Sequence, residues 1–479
     1  MEGQERFSLK LPDRIVGHIE MQGTEYAFEL DKDEYVLRLY SSKDDVQEPY
    51  FDAIRRMIAS SKEEPKWLQT TVLYASSADN HKVAICVLGE PKTWNGFLHY
   101  DVLWYVYARC SFDWQAIEGV SVYGGVVNWY RNPRFIFETR LGDGGRKLDA
   151  VTVDSHKAEE TQCGSYMIEA NITASVKAGS FPVVCGSREF YPLDARSVLV
   201  TSFSQPAGIE LAVRAYENVE QFFRFVAYRN NLSFDQVFLF SYSDDGLRKN
   251  DAILAYRRDA LPCDNHKRAK DCIITCEVIG EHAGQLIGAI NDGELGLRHL
   301  PDSFSARSRY TPGRLITILA DFENELRAAF GSSTIRSDDY IAARDEVVAL
   351  IRQANDQNSG KKRKYYSEIA NSVSKFDVGY SEKVRHALKR AEDVMEPFVK
   401  SAYPNVPFDD AIKAIGNRMN TVRNDYAHCN VGTRLEPSVA RDIMIMEQLL
   451  YALRLMSIGV DALSIKHGID VLYGRKLGL

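Results

Sequence analysis

Within TVRNDYAHC, residues 421–429, Arg423 and His428 stand five positions apart and Asn424 directly follows the arginine. These side chains suit cleavage of a phosphodiester that carries its own nucleophile. A guanidinium can hold two phosphate oxygens at once, and an imidazole, with a pKa of about 6.5, can take up and return a proton near neutral pH. RNA supplies the attacking oxygen as its ribose 2′-OH. In that chemistry Arg423 is the phosphate clamp, His428 the general base or acid and Asn424 an orienting group. The expected products are a 2′,3′-cyclic phosphate and a 5′-hydroxyl, and DNA, which lacks the hydroxyl, is inert. A plainer alternative stays open: Arg423 and His428 near a helix end can simply solvate it and interact with the C-terminal dipole.

The surrounding pattern bears on that choice. At about 100° per residue, Lys413, Asn417, Asn420, Asn424 and His428 fall on one side of a helix, and Arg423 lies on its shoulder. The opposite, apolar stripe is Ile412, Ile415, Met419, Val422 and Tyr426, so the imidazole is not a core histidine. The polar side holds asparagines but no glutamate. Asparagine is a poor interior helix former, and a plain solvent face would favour glutamate, glutamine or lysine. The composition points to directional hydrogen bonding.

The elements that must position this face are helical. Leu315, Leu319, Phe322, Leu326 and Ala329 form an apolar stripe at steps of four and three. Val384, Ala387, Ala391, Met395 and Phe398 repeat it, as do Val439, Ile443, Met446, Leu450 and Leu453. With the motif helix these make four long amphipathic helices, joined by weaker helical runs near 338–354 and 364–376, enough to close a bundle core. The predicted helical domain spans residues 306–479, after a linker at PDSFSARSRYTPG, residues 301–313, where proline, serine and glycine cluster.

Upstream, residues 1–150 carry aromatic and β-branched runs such as EYAFELDKDEYVLRLYSS, HKVAICVLGE and FLHYDVLWYVYARC, predicting a β-rich domain. Gly119, Gly124 and Gly125 read as turn or bulge glycines. Residues 151–305 mix strands with a helix whose buried face is Leu211, Ala215, Val219, Phe222 and Val226, predicting a mixed α/β second domain. The fold class is therefore α+β: a β-rich N-terminal region followed by a C-terminal all-α bundle.

Other chemistry is sparser. Cys263, His266, Cys272 and Cys276 in CDNHKRAKDCIITC are of zinc-ligand types, but CIITC reads as a strand whose cysteines are too far apart to chelate, which favours buried thiols over a structural zinc. Lys361, Lys362, Arg363 and Lys364 precede two tyrosines in SGKKRKYYSEIA; this is either an RNA-guiding edge or a solvated helix start. Glu323 is either a surface ion-pair partner or the residue that fixes Arg423. Tryptophans and tyrosines around Asp101, Asp113 and Glu118 suggest a glycan-binding or glycoside-processing alternative, which would require opposed carboxylates; β-core packing explains the aromatics equally well.

The excess of 66 acidic over 59 basic residues, a net charge of −7, argues against a nucleic-acid coat protein while leaving room for a local basic cleft. Eight dispersed cysteines fit reduced thiols, and neither a signal peptide nor a bilayer-spanning stretch is evident, so a cytoplasmic location with no membrane partner is expected.

RNDYAH resembles the R-x4-H motif, with a polar residue after the arginine, of the HEPN superfamily of ribonucleases. A β-rich region followed by a helical domain is similar to the ApeA-type abortive-infection proteins. The HEPN resemblance covers about residues 306–479; the ApeA-like layout would account for the whole chain. It implies a metal-independent endoribonuclease with no catalytic cofactor, assembled at a homodimer interface where each protomer donates Arg423, Asn424 and His428. There Asn424 would orient substrate or a histidine across the interface, and further pairing would give a tetramer. The implied substrate is single-stranded RNA or a tRNA loop, and the implied role is a toxin of anti-phage defence, triggered by a phage component that the N-terminal parts sense. A non-catalytic interaction or oligomerisation module is the alternative from another class.

Overall fold

The computed structural model describes residues 9–21, 23–41, 69–94, 97–141, 148–183, 194–257, 268–331, 338–374, 378–427 and 436–478. Two compact units divide the chain: 1–270 with 280–291, and 271–279 with 292–479.

The first unit is built from strands β1 (Arg14–Met21), β2 (Thr24–Asp31), β3 (Val36–Ser41), β4 (Thr70–Ser77), β5 (Lys82–Trp94), β6 (Phe97–Ala108), β7 (Ile117–Tyr123), β8 (Phe137–Leu141), β9 (Leu148–Val153), β10 (Thr161–Glu169), β11 (Ile172–Val183), β12 (Asp194–Ala207), β13 (Gln236–Tyr242) and β14 (Arg248–Tyr256). β8 and β9 form a separate ribbon. The other twelve make one sheet in the order β10-β11-β12-β7-β13-β14-β6-β3-β2-β1-β4-β5, and β5 also pairs with β6, closing six strands into a barrel. Alternate residues point inward, as the two-residue period of a strand demands: Ile15 and Ile19, Phe28 and Leu30, Leu37 and Leu39, Val83, Ile85 and Val87 fill the barrel. Closure leaves these strands no free edge.

The long β6 belongs to both halves of the sheet. Its first part pairs with β3 and its second with β14. β7 in turn pairs with β12 and β13, so residues 1–150 and the strands after 151 share one sheet, and a boundary near 150 falls inside it. Gly119 sits at an irregularity, as a bulge glycine does: the β7–β12 register shifts between its pair with Ser202 and the pair of Ile117 with Ala207. It lies within β7, where a Cβ would come 2.2 Å from the Thr201 carbonyl oxygen and 2.5 Å from the Phe240 ring, so its missing side chain admits the neighbouring strand. Helix α1 (Ile209–Ala227) buries Leu211, Ala215, Val219, Phe222 and Val226 as expected, and packs with α2 (Ala283–Asn291).

The second unit is helical: α3 (Pro312–Phe330), α4 (Asp338–Asp356), α5 (Gly360–Ser374), α6 (Tyr380–Arg390), α7 (Glu392–Ala402), α8 (Phe408–Ala427), α9 (Pro437–Ser457) and α10 (Ala462–Tyr473). An α+β class with strands followed by helices is what the chain forms. The unit opens at Asp292 and takes in 271–279, earlier than 306. Residues 301–313 are not a linker but part of its packing. The buried Arg314 guanidinium donates to the carbonyls of His299, Ala306, Arg307 and Arg309, while Thr311 caps α3 and Pro312 occupies its first turn.

Two further expectations change. The stripe Val384–Phe398 is fully buried but belongs to two helices, because Ala391 leaves helical geometry (φ −95°, ψ 19°) between α6 and α7. CIITC is not a strand: Cys276 begins a short helix to Ile279, and Ile274 and Val278 pack at Gly468 of α10. No helix among the described residues is long and apolar enough to cross a membrane.

Candidate active site

Helix α8 carries the motif. Its first turn holds Asp409 and Asp410, where the helix dipole favours negative charge. Ile412, Ile415, Met419 and Val422 are buried as the stripe predicts, whereas Tyr426 is only half-buried. Lys413, Asn417 and Asn424 are exposed and Asn420 is half-buried.

The polar face is not uniformly open. At Gly416 a Cβ would lie 2.5 Å from the Ser381 carbonyl oxygen, so α6 and α8 meet there almost backbone to backbone. Asn417 Oδ1 accepts from Ser381 Oγ at 2.7 Å. Asn417 thus ties α8 to α6 while remaining exposed, as Lys413 is, and at the C-terminal end of the face Arg423 and Asn424 are both exposed.

Two arginines one and a half turns apart behave differently. Arg418 is locked: its guanidinium donates to both oxygens of the fully buried Asp442 and to Tyr403 Oη, and these contacts hold its charge above the usual arginine range despite burial. Arg423 is not. Its side chain is 47% exposed, its guanidinium lies 5.2 Å above the Tyr380 ring, and its ion-pair contact is Glu323 Oε1 of α3 at 3.9 Å. That same oxygen is 3.5 Å from Lys383 Nζ of α6. A long contact in solvent is worth at most about 1 kcal/mol.

Tyr380 is the fixed floor beneath the guanidinium. Its hydroxyl donates to the Leu319 carbonyl at 3.2 Å and its ring meets Phe322 edge-on at 5.5 Å. Burial, with Glu323 adding to it, pushes the phenol well above its ordinary value, so it stays neutral beside the arginine. The arrangement therefore presents a guanidinium, oriented by an aromatic face, that can meet an external anion without leaving a buried charge unpaired.

The fold brings Glu323, Tyr380, Lys383, Arg423 and Asn424 into one neighbourhood. His428, the third motif residue, lies outside the described residues, as do Cys263 and His266. Cys272 is buried and Cys276 half-buried; among the described residues no group of three His, Cys, Asp or Glu side chains is placed to hold a metal ion. Lys361, Lys362, Arg363 and Lys364 are all exposed on α5, and Tyr365 beside them is also exposed. The three carboxylates of the glycan alternative are each locally engaged: Asp101 by Lys92 at 2.8 Å, Asp113 by the backbone of Gln115, and Glu118 by the backbone of Tyr242.

The pattern of apolar stripes did not reveal the buried charges that brace α3. Glu325 forms a two-pronged pair with Arg454 of α9 at 2.7 and 3.0 Å, Arg314 meets Glu447 at 2.6 Å, and His299 Nδ1 lies 2.8 Å from Asp321. The available signal was their register: Asp321 and Glu325 sit among Leu315, Ile318, Phe322 and Leu326, positions where a solvent-facing carboxylate does not belong. Tyr380 and Lys383 carried no comparable mark. No family model, curated protein or solved structure matches the chain.

Proposed function

We propose that the helical unit is a metal-independent endoribonuclease, acting on single-stranded RNA or a tRNA loop by attack of the 2′-OH, and serving as a toxin of anti-phage defence whose trigger is sensed by the β-rich unit. The observation that carries this reading is the contrast between Arg418, consumed by a buried carboxylate, and Arg423, half-exposed over Tyr380 with a shared and distant counter-ion. Arg423 binds and neutralises the phosphate, Asn424 beside it orients the substrate, and His428 moves the proton. Because each chain offers one arginine and one histidine in this motif, a complete site takes two copies related by a two-fold axis near Asn424.

The test is a labelled RNA or tRNA incubated with the full-length protein, excess EDTA and any required activator, followed by end-group analysis. Cleavage should persist, leave a 2′,3′-cyclic phosphate and fail at a 2′-O-methyl linkage. His428→Ala should slow it about 100- to 10,000-fold, and Arg423→Lys should recover little of what Arg423→Ala loses, because an ammonium lacks the planar fork. Cutting that survives replacement of both Arg423 and His428 would return this face to a binding or assembly role.

A further inference from the structure

Helices α4 and α5 form an antiparallel hairpin across the three residues 357–359, and each packs chiefly on the other. Across the described residues of the hairpin, Val348 and Ala370 are the buried hydrophobic side chains. Four large apolar ones face outward: Val347 and Leu350 on α4, Tyr365 and Ile369 on α5. An isolated pair of helices with so little buried surface is marginal in water, and its stability must come from a further surface.

The exposed residues form one patch. On α4, Val347 and Leu350 lie about 100° and 160° from Val348 in one rotational sense; on α5, Ile369 and Tyr365 lie about 100° and 140° from Ala370 in the same sense. In antiparallel helices equal offsets in the same sense project to the same side of the pair. The hairpin therefore has an apolar side running along both helices.

Charge is divided along it. Asp339, exposed in the first turn of α4, marks one end, and Glu346, also exposed, lies near the middle of that helix; Lys361 and Lys362, exposed in the first turn of α5, mark the other end. Turning a second hairpin about a two-fold axis through the middle of the patch sets each basic end against an acidic end and the apolar strips against each other. An RNA backbone would satisfy the lysines but leave Val347, Leu350 and Ile369 in water.

We infer that this face is a self-association surface, on which the α4–α5 hairpins of two copies of this chain pack as an antiparallel four-helix bundle. It uses none of the residues around Arg423 and does not depend on RNA cleavage.

Sedimentation of the full-length protein across concentration and salt is the measurement. Leu350→Glu with Ile369→Glu should lower the association constant at least ten-fold while leaving the circular-dichroism spectrum intact, since both sites are exposed. Asp339→Lys with Glu346→Lys, and separately Lys361→Glu with Lys362→Glu, should each weaken association, because like charges then meet at both ends. Mixing those two charge-reversed proteins should restore it, now as a heterodimer. Association indifferent to all of these changes, or a mixture that fails to recover, overturns the proposal. So would lysine reversals that leave the mass unchanged but abolish binding of a single-stranded RNA, which would assign the basic end to nucleic acid instead.

Discussion

Arg423 and Glu323 face one another at 3.9 Å from separate helices, and Lys383 reaches the same carboxylate oxygen at 3.5 Å. Glu323 thereby partly cancels two cations at the mouth of the candidate site. All three groups keep contact with solvent, so the pairs contribute little to folding. Glu323→Gln should shift stability by less than about 1 kcal/mol and tighten binding of single-stranded RNA by roughly two- to five-fold at low salt, the gain fading as salt rises. Fluorescence anisotropy with a short labelled RNA decides it. Weaker binding in Glu323→Gln would mean that the carboxylate positions Arg423 rather than competing for it.

The two sides of α8 should separate cleanly under substitution. Met419 is fully buried and Val422 nearly so, whereas Asn424 is exposed. Met419→Ala and Val422→Ala should cost about 1–4 kcal/mol through lost burial and the cavity left behind, and Asn424→Ala should stay within about 0.5 kcal/mol. Urea unfolding of the three variants measures this directly. An Asn424→Ala protein as unstable as Met419→Ala would show that the asparagine packs rather than faces substrate.

What the sequence made legible follows from which interactions are periodic. Stripes at steps of three and four located the helices around Leu319, Met395, Met419 and Leu450, while alternation around Leu37 and a β-branched apolar run around Ile85 located barrel strands. The division near residue 150 and the supposed linker at 301–313 were not legible, because they depend on partners far away in the chain. β7 joins β12 and β13 by backbone pairing that leaves no mark in side-chain type, and the 301–313 stretch is held by one arginine, Arg314, gathering carbonyl groups. In the candidate site, Arg423 and Asn424 stood out through the motif, and Glu323 on the first bundle helix was open to two readings, a surface ion pair or a partner that fixes Arg423. Tyr380 did not stand out, since an aromatic residue at a helix start gives no sign that a cation will rest on its face.

The pair of Glu325 with Arg454 makes a sharper stability test. Both side chains are about 2% exposed, and Arg454 also donates to the Glu294 carbonyl, bracing α3, α9 and the segment before α3 together. Arg454→Met should cost about 3–5 kcal/mol, because it strands a carboxylate in the interior. Adding Glu325→Leu should recover much of that loss, since the uncompensated charge is then removed. Thermal melts of the single and double variants check this. A double variant no more stable than Arg454→Met would place the value of the arginine in its bond to Glu294 rather than in its charge.

His386 gives the helical unit a pH dependence whose sign can be worked out. Burial on α6, with the neighbouring Arg390 and Arg385, holds its imidazole below the ordinary histidine value, while Glu382 opposes them; the Phe330 ring stands edge-on at 6.4 Å. The folded protein therefore keeps this histidine neutral at pH values where the unfolded chain has begun to protonate. Its contribution to stability is present above the unfolded value of about 6.5 and is lost as pH falls through the lower folded value, because the proton binds the unfolded chain first. Replacing it by a side chain that does not titrate should remove that part of the loss. Urea midpoints of the wild-type protein and His386→Gln, compared at pH 7.5 and pH 5, isolate the effect, since the carboxylates are common to both. The wild-type midpoint should fall further than that of His386→Gln, and two midpoints that fall in parallel would show that the acid sensitivity arises elsewhere.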